Sequence, residues 1–108
     1  MIGIHLRLYT YEIRRHDGQL VYQWLLDQAK RMGIHGGSAF RAMAGFGRHG
    51  RLHEAHFFEL AGEEPVLVEF IVTDTQALQF LELLETEGLH LFYAKLPTEY
   101  GVVGKLDP

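Results

Sequence analysis

Val66-Leu67-Val68-Glu69-Phe70-Ile71-Val72 runs directly into Thr73-Asp74-Thr75-Gln76, and the reading of this stretch decides the fold. The first part is apolar and rich in β-branched residues, the composition of a strand covered by other structure. Glu69 alone interrupts it, on the face opposite Val66, Val68, Phe70 and Val72. A carboxylate there must find solvent or a partner, so the strand is expected to have one buried face and one polar face. Thr73 followed three residues later by Gln76 has the spacing of a capping box, in which each side chain satisfies the other's backbone N–H. A buried strand therefore turns straight into a helix.

Downstream, Ala77, Phe80, Leu81 and Leu84 recur at helical steps until Gly88. Leu89 to Leu96 reads as a last strand closed by Pro97, and Thr98 to Pro108 as a glycine-rich tail without a period. Upstream, Ala61 to Pro65 is a turn and Ala55 to Leu60 a further strand. Ser38 to Gly45, after the Gly36-Gly37 turn, is another, with Phe40, Ala42 and Ala44 on one face and Arg41 and Met43 on the other. Val21, Trp24, Leu25, Ala29 and Met32 form the buried stripe of a helix over Gln19 to Met32, with Asp17 as its N-cap and Gly33 as its stop. On that stripe Trp24 belongs to the core. Ile2 to Tyr11 alternates with period two, so that Ile2, Ile4, Leu6 and Leu8 share one face and His5, Arg7, Tyr9 and Tyr11 the other.

The order is strand, helix, strand, loop, strand, strand, helix, strand. Two such β-α-β units side by side make an α+β, ferredoxin-like βαββαβ sandwich with both helices on one sheet face. The segment Ala55 to Leu60 adds an extra β-hairpin, and residues 1–108 form a single domain. The face carrying His5, Arg7, Tyr9 and Glu69 is left without helices. It needs water or a partner, and closed homo-oligomers are the usual solution.

Chemistry concentrates between the second strand and its successor. Gly45, Gly47 and Gly50 shape a loop that also carries Arg48, His49, Arg51, His53 and His56. Glycine lets a ligand approach the main chain, and amides beside arginine suit phosphate oxygens. Gly45, Phe46, Gly47, Arg48 and Arg51 are the candidate anion-binding residues, with Arg41 as a further cation. The same loop supports a second reading, since His49, His53 and His56 are spaced so that imidazoles can converge on a divalent transition metal. Catalysis has no comparable support. Ser38 is the sole serine and stands in no nucleophile-elbow context, so the protein is expected not to be an enzyme.

Composition narrows the rest. A formal net charge of −4 disfavours general nucleic-acid binding. Cysteine is absent, which removes disulfides and thiol catalysis and leaves metal ligation to His and carboxylates. No apolar run reaches membrane-spanning length and no leader pattern opens the sequence, so a cytoplasmic location is the expectation.

Several stretches in order carry a resemblance. Arg14-Arg15-His16-Asp17-Gly18 precedes Leu20-Val21-Tyr22. Gly33-Ile34-His35-Gly36-Gly37-Ser38-Ala39-Phe40-Arg41-Ala42-Met43-Ala44-Gly45-Phe46-Gly47 follows, then Leu52-His53 and Pro65-Val66-Leu67-Val68-Glu69. Over roughly Gly3 to Leu96 the chain resembles the uncharacterised PII-like family known as domain of unknown function 190, related to the PII nitrogen-regulatory signalling proteins. The resemblance implies a ferredoxin-like core, a homotrimer with sheets facing inward, and a small-molecule ligand in clefts between subunits. In the signalling PII proteins that ligand is an adenine nucleotide, and Gly45-Phe46-Gly47-Arg48 matches part of their site. Their Gly-Asp-Gly-Lys turn after the second helix is replaced here by Thr86-Glu87-Gly88-Leu89-His90, and the mobile loop is far shorter. These departures separate the chain from the nitrogen-signalling role. Members of the family are found near fluoride-channel genes, which implies ion-related regulation and a protein or membrane-transporter target.

Overall fold

The structure is a computed structural model that describes residues 1–45 and 64–104. Its elements are β1 (Ile2–Tyr11), β2 (Arg15–His16), β3 (Gln19–Leu20), α1 (Val21–Arg31), β4 (Gly37–Arg41), β5 (Pro65–Val72), α2 (Asp74–Thr86) and β6 (Phe92–Glu99). One sheet has the strand order β4-β5-β1-β6, every neighbouring pair antiparallel. This is the ferredoxin-like order, in which the first strand lies between the third and the last. The expected strand over Ala55 to Leu60, and with it the extra hairpin, lies outside the described residues.

The register follows from the alternation. Leu6 stands opposite Phe70, and Leu8 opposite Val68, so the apolar faces of β1 and β5 coincide. Onto them pack Val21, Trp24, Leu25 and Ala29 of α1 and Ala77, Phe80 and Leu84 of α2, all buried. Phe70 and Phe80 meet edge-on with ring centroids 5.4 Å apart, a favoured geometry for two buried rings. Gly37 lies opposite Phe70 in the ladder. A Cβ added there would collide with the Phe70 ring and come within 3.2 Å of Leu26.

The capping box at Thr73 forms as its spacing requires. Gln76 N–H donates to Thr73 Oγ1 at 3.1 Å, and Thr73 N–H to Gln76 Oε1 at 3.0 Å. Both helices end in the same way. Gly33 (φ 83°) follows α1 and Gly88 (φ 71°) follows α2. Ile34 N–H returns to Ala29 O and Leu89 N–H to Leu84 O, each at 3.0 Å. This six-to-one bond, with a left-handed glycine before it, is the Schellman motif.

Three sequence expectations are corrected. Asp17 is not the cap of α1. It sits at φ 49° beside Gly18 at φ 75°, the paired positive values of a type I′ turn, and joins β2 to β3 in a short hairpin. The helix starts later, at Val21, after Leu20, which offers no side-chain cap. Val21 N–H is satisfied by Arg14 O at 2.8 Å instead. The second correction concerns β4, which ends at Arg41 rather than reaching Gly45. Its partner β5 begins at Pro65, so the ladder stops after Ala42 N–H donates to Pro65 O at 2.8 Å. The third is β6, which starts at Phe92 and runs through Pro97 to Glu99. It is an edge strand, where a residue without an N–H is tolerated. Among the described residues no helix is long and apolar enough to cross a membrane.

Candidate functional site

The sheet face opposite the helices is built by the odd-numbered residues of β1 and whatever the ladder sets beside them. His5 lies between Ile71 and Leu96, Arg7 between Glu69 and Ala94, and Tyr9 between Leu67 and Phe92. Beyond Leu67 comes Phe40. Phe40, Ile71, Phe92 and Leu96 each leave 42–50% of their surface exposed. Tyr9 and Phe92 rings are 5.4 Å apart, and the Arg7 guanidinium carbon lies 5.6 Å from the Tyr9 centroid, within cation–π range. Glu69, which the sequence left in need of a partner, receives His5 Nε2 at 2.8 Å. The face is thus a broad apolar and aromatic surface with one half-buried His–Glu pair at its centre.

At one end of the sheet the chain enters and leaves the glycine and histidine loop. Of the expected anion-binding residues, Gly45 is described, four residues beyond the end of β4. A Cβ there would meet only the Pro65 side chain at 3.7 Å, an ordinary contact, so the described packing does not itself demand a glycine. Phe46, Gly47, Arg48 and Arg51 lie outside the described residues, as do the alternative metal ligands His49, His53 and His56. Arg41 is engaged already, its Nη2 donating to Glu12 Oε1. Glu12 N–H donates to Glu64 O at 3.0 Å, which ties β1 to the residue preceding β5. The Glu64 carboxyl is held below the usual glutamate value, chiefly by its side-chain hydrogen bond with Glu12 and then by a backbone N–H. Burial acts in the opposite sense, and the charge of Arg41 adds a smaller lowering. Glu12 thus links the end of β4, through Arg41, to Glu64 just before β5. Sequence spacing hid this cluster, because its members come from three separate segments.

A second polar cluster, which sequence reasoning missed, joins the β2–β3 hairpin to the end of α2. His16 Nε2 is 3.0 Å from Glu87 Oε1 and 3.5 Å from Asp17 Oδ2. The one local signal was Asp17-Gly18, which fits a hairpin turn as well as a helix start.

Comparison with known proteins agrees with this architecture. Residues 3–89 match the model of the DUF190 family, described as Uncharacterized ACR, COG1993. The chain is similar to a UPF0166 protein of Aquifex aeolicus, 36% identical over 85 residues, which cover 79% of each chain. It is also similar to UPF0166 protein MJ1524 of Methanocaldococcus jannaschii, 27% identical over 88 residues, covering 78% of this chain and 81% of the other. Among solved structures, CPII of Thiomonas intermedia K12, a nitrogen regulatory PII-like protein, superposes in its complex with ADP and bicarbonate with a TM-score of 0.64. That match has 14% identity and covers 94% of this chain and 91% of the other. With a ferredoxin-like sheet order, a PII-like structural neighbour and a family match across most of its length, the chain belongs to the DUF190 family and has the PII-like fold.

Proposed function

We propose that this protein is a non-catalytic, PII-like regulator that assembles as a homotrimer through its open sheet face and binds a small anionic ligand between subunits. An adenine nucleotide is the leading ligand. The observation that carries the reading is the uncovered face itself, where Phe40, Ile71, Phe92 and Leu96 stand exposed around the His5–Glu69 pair. Packing copies of this face together would remove that apolar area from water. It would also set the loop that starts at Gly45 beside a neighbouring subunit. Gly45, Phe46, Gly47, Arg48 and Arg51 would then supply main-chain amides and guanidinium groups to the ligand's phosphates. The ligand class is further supported by CPII, which shares the fold and was solved with ADP and bicarbonate. A regulator of this kind acts by changing how it docks on a protein or membrane-transporter target.

The test is native mass spectrometry on untagged protein, followed by calorimetric titration with ADP of wild type and Arg48→Ala. The reading expects a trimer, and ADP binding that Arg48→Ala abolishes while the trimer persists. A clean monomer removes the inter-subunit cleft and the reading with it. A trimer whose ADP binding survives Arg48→Ala moves the ligand elsewhere.

A further inference from the structure

We propose that His16, Asp17 and Glu87 form a binding site for a divalent first-row transition ion, separate from the glycine and histidine loop. Their ligand atoms all lie within 4.8 Å of one another. An ion about 2.1 Å from each nitrogen or oxygen donor sets neighbouring donors about 3.0–3.5 Å apart, depending on the angle. His16 Nε2 already stands at 3.0 Å from Glu87 Oε1 and 3.5 Å from Asp17 Oδ2. Only a small closure of the Asp17 and Glu87 side chains is required to bring all three onto one ion.

Each donor is held by a different part of the fold. The His16 ring is 16% exposed and meets the edge of Trp24, with centroids 4.9 Å apart at 81°. This ring contact and the Glu87 partner together hold the imidazole in place. Asp17 is set by the positive-φ turn of the β2–β3 hairpin. Glu87 is the C-cap of α2, and its N–H donates to Leu83 O at 2.9 Å.

The charge balance also points to a cation. Two carboxylates converge on one imidazole nitrogen, and a neutral imidazole can offer them a single N–H at most. The cluster lies at the C-terminal end of α2, where the helix dipole favours positive charge. The last turn of α2 carries no basic residue. The neighbouring arginines are turned to carbonyls, Arg14 to His90 O and Arg15 to Gly18 O. One imidazole with two carboxylates suits a borderline ion such as zinc or cobalt over calcium or magnesium. Asp17 is 69% exposed on its side chain, so the remaining coordination positions face water.

Trp24 is the only tryptophan in the chain, which makes the site self-reporting. Untagged full-length protein is titrated with cobalt chloride while Trp24 emission is followed. Saturable quenching at one ion per chain is expected. Glu87→Gln, which keeps a hydrogen-bond acceptor for His16, should weaken it at least about tenfold, the lower bound for losing even an outer-sphere partner. Asp17→Asn should weaken it in the same direction, and circular dichroism checks that both variants remain folded. The triple variant His49→Ala, His53→Ala, His56→Ala should quench as wild type does. The proposal fails if wild type shows no saturable quenching, as a plain His16–carboxylate ion pair predicts. It fails equally if Glu87→Gln matches wild type, or if only the triple variant loses the response.

Discussion

Gly37 and Glu64 show how much a single position can decide in this fold. At Gly37 the missing side chain lets β4 lie against the ring of Phe70, a residue 2% exposed in the middle of the core. The ring has no room to retreat, so Gly37→Ala is expected to destabilise the protein by about 1–3 kcal/mol, the usual cost of overpacking. Urea unfolding measures it. Glu64 acts through charge. Its folded pKa is depressed below the ordinary glutamate value, first by the hydrogen bond with Glu12. Its contribution is then complete above the unfolded-state value and is lost as pH falls through the lowered folded value. Glu64→Gln is expected to lose less thermal stability than wild type as pH falls from about 6 to about 3. Melting curves across that range test the sign. Neither effect was legible in the sequence. The Phe70 contact and the Glu12 partner are each set by chain pairing, and spacing carries no record of it.

Elements were legible where their signals are local. Thr73 and Gln76 stand three residues apart, their bonds form within one turn, and α2 begins where the spacing put it. Thr73→Ala should therefore cost about 1 kcal/mol, read from the midpoint of the same urea curves with an unchanged slope. Gly33 and Gly88 were equally readable as stops, because each supplies the left-handed residue that its Schellman motif needs. Ambiguity entered where one residue serves two motifs. Asp17 suits a helix cap and a type I′ turn alike, and the decision falls to the turn because His16 and Gln19 pair across it. Pro97 misled for a different reason. Whether a proline ends a strand depends on whether that strand lies at an edge, which only the sheet order reveals. The His16–Glu87 contact spans 71 residues, beyond the reach of any motif read along the chain.

At the scale of the whole molecule, the uncovered face of the sheet was foreseen from alternation alone, since His5, Arg7, Tyr9 and Glu69 fell opposite the apolar set. The contribution of Phe40, Phe92 and Leu96 to it was not, because it depends on which strands flank the centre. Leu96 lies beside His5 on that face and is 42% exposed. In an assembled state Leu96→Asp would bury a charge among apolar neighbours, a costly placement. Analytical ultracentrifugation should show the variant at a lower mass than wild type, with an unchanged far-ultraviolet spectrum because the helix-facing core is untouched. The candidate anion residues from Phe46 to Arg51 were readable as a motif, and they lie outside the described residues.

The central position of β1 has a consequence for the order in which the fold is acquired. Its two neighbours, β5 and β6, begin at residues 65 and 92. During synthesis β1 is thus made first and waits more than fifty residues for its first partner in the sheet. Such long-range pairing slows folding, since loop closure must precede any reward from contact. Until β5 arrives, Ile4, Leu6 and Leu8 present an unpaired apolar strand of the kind chaperones hold.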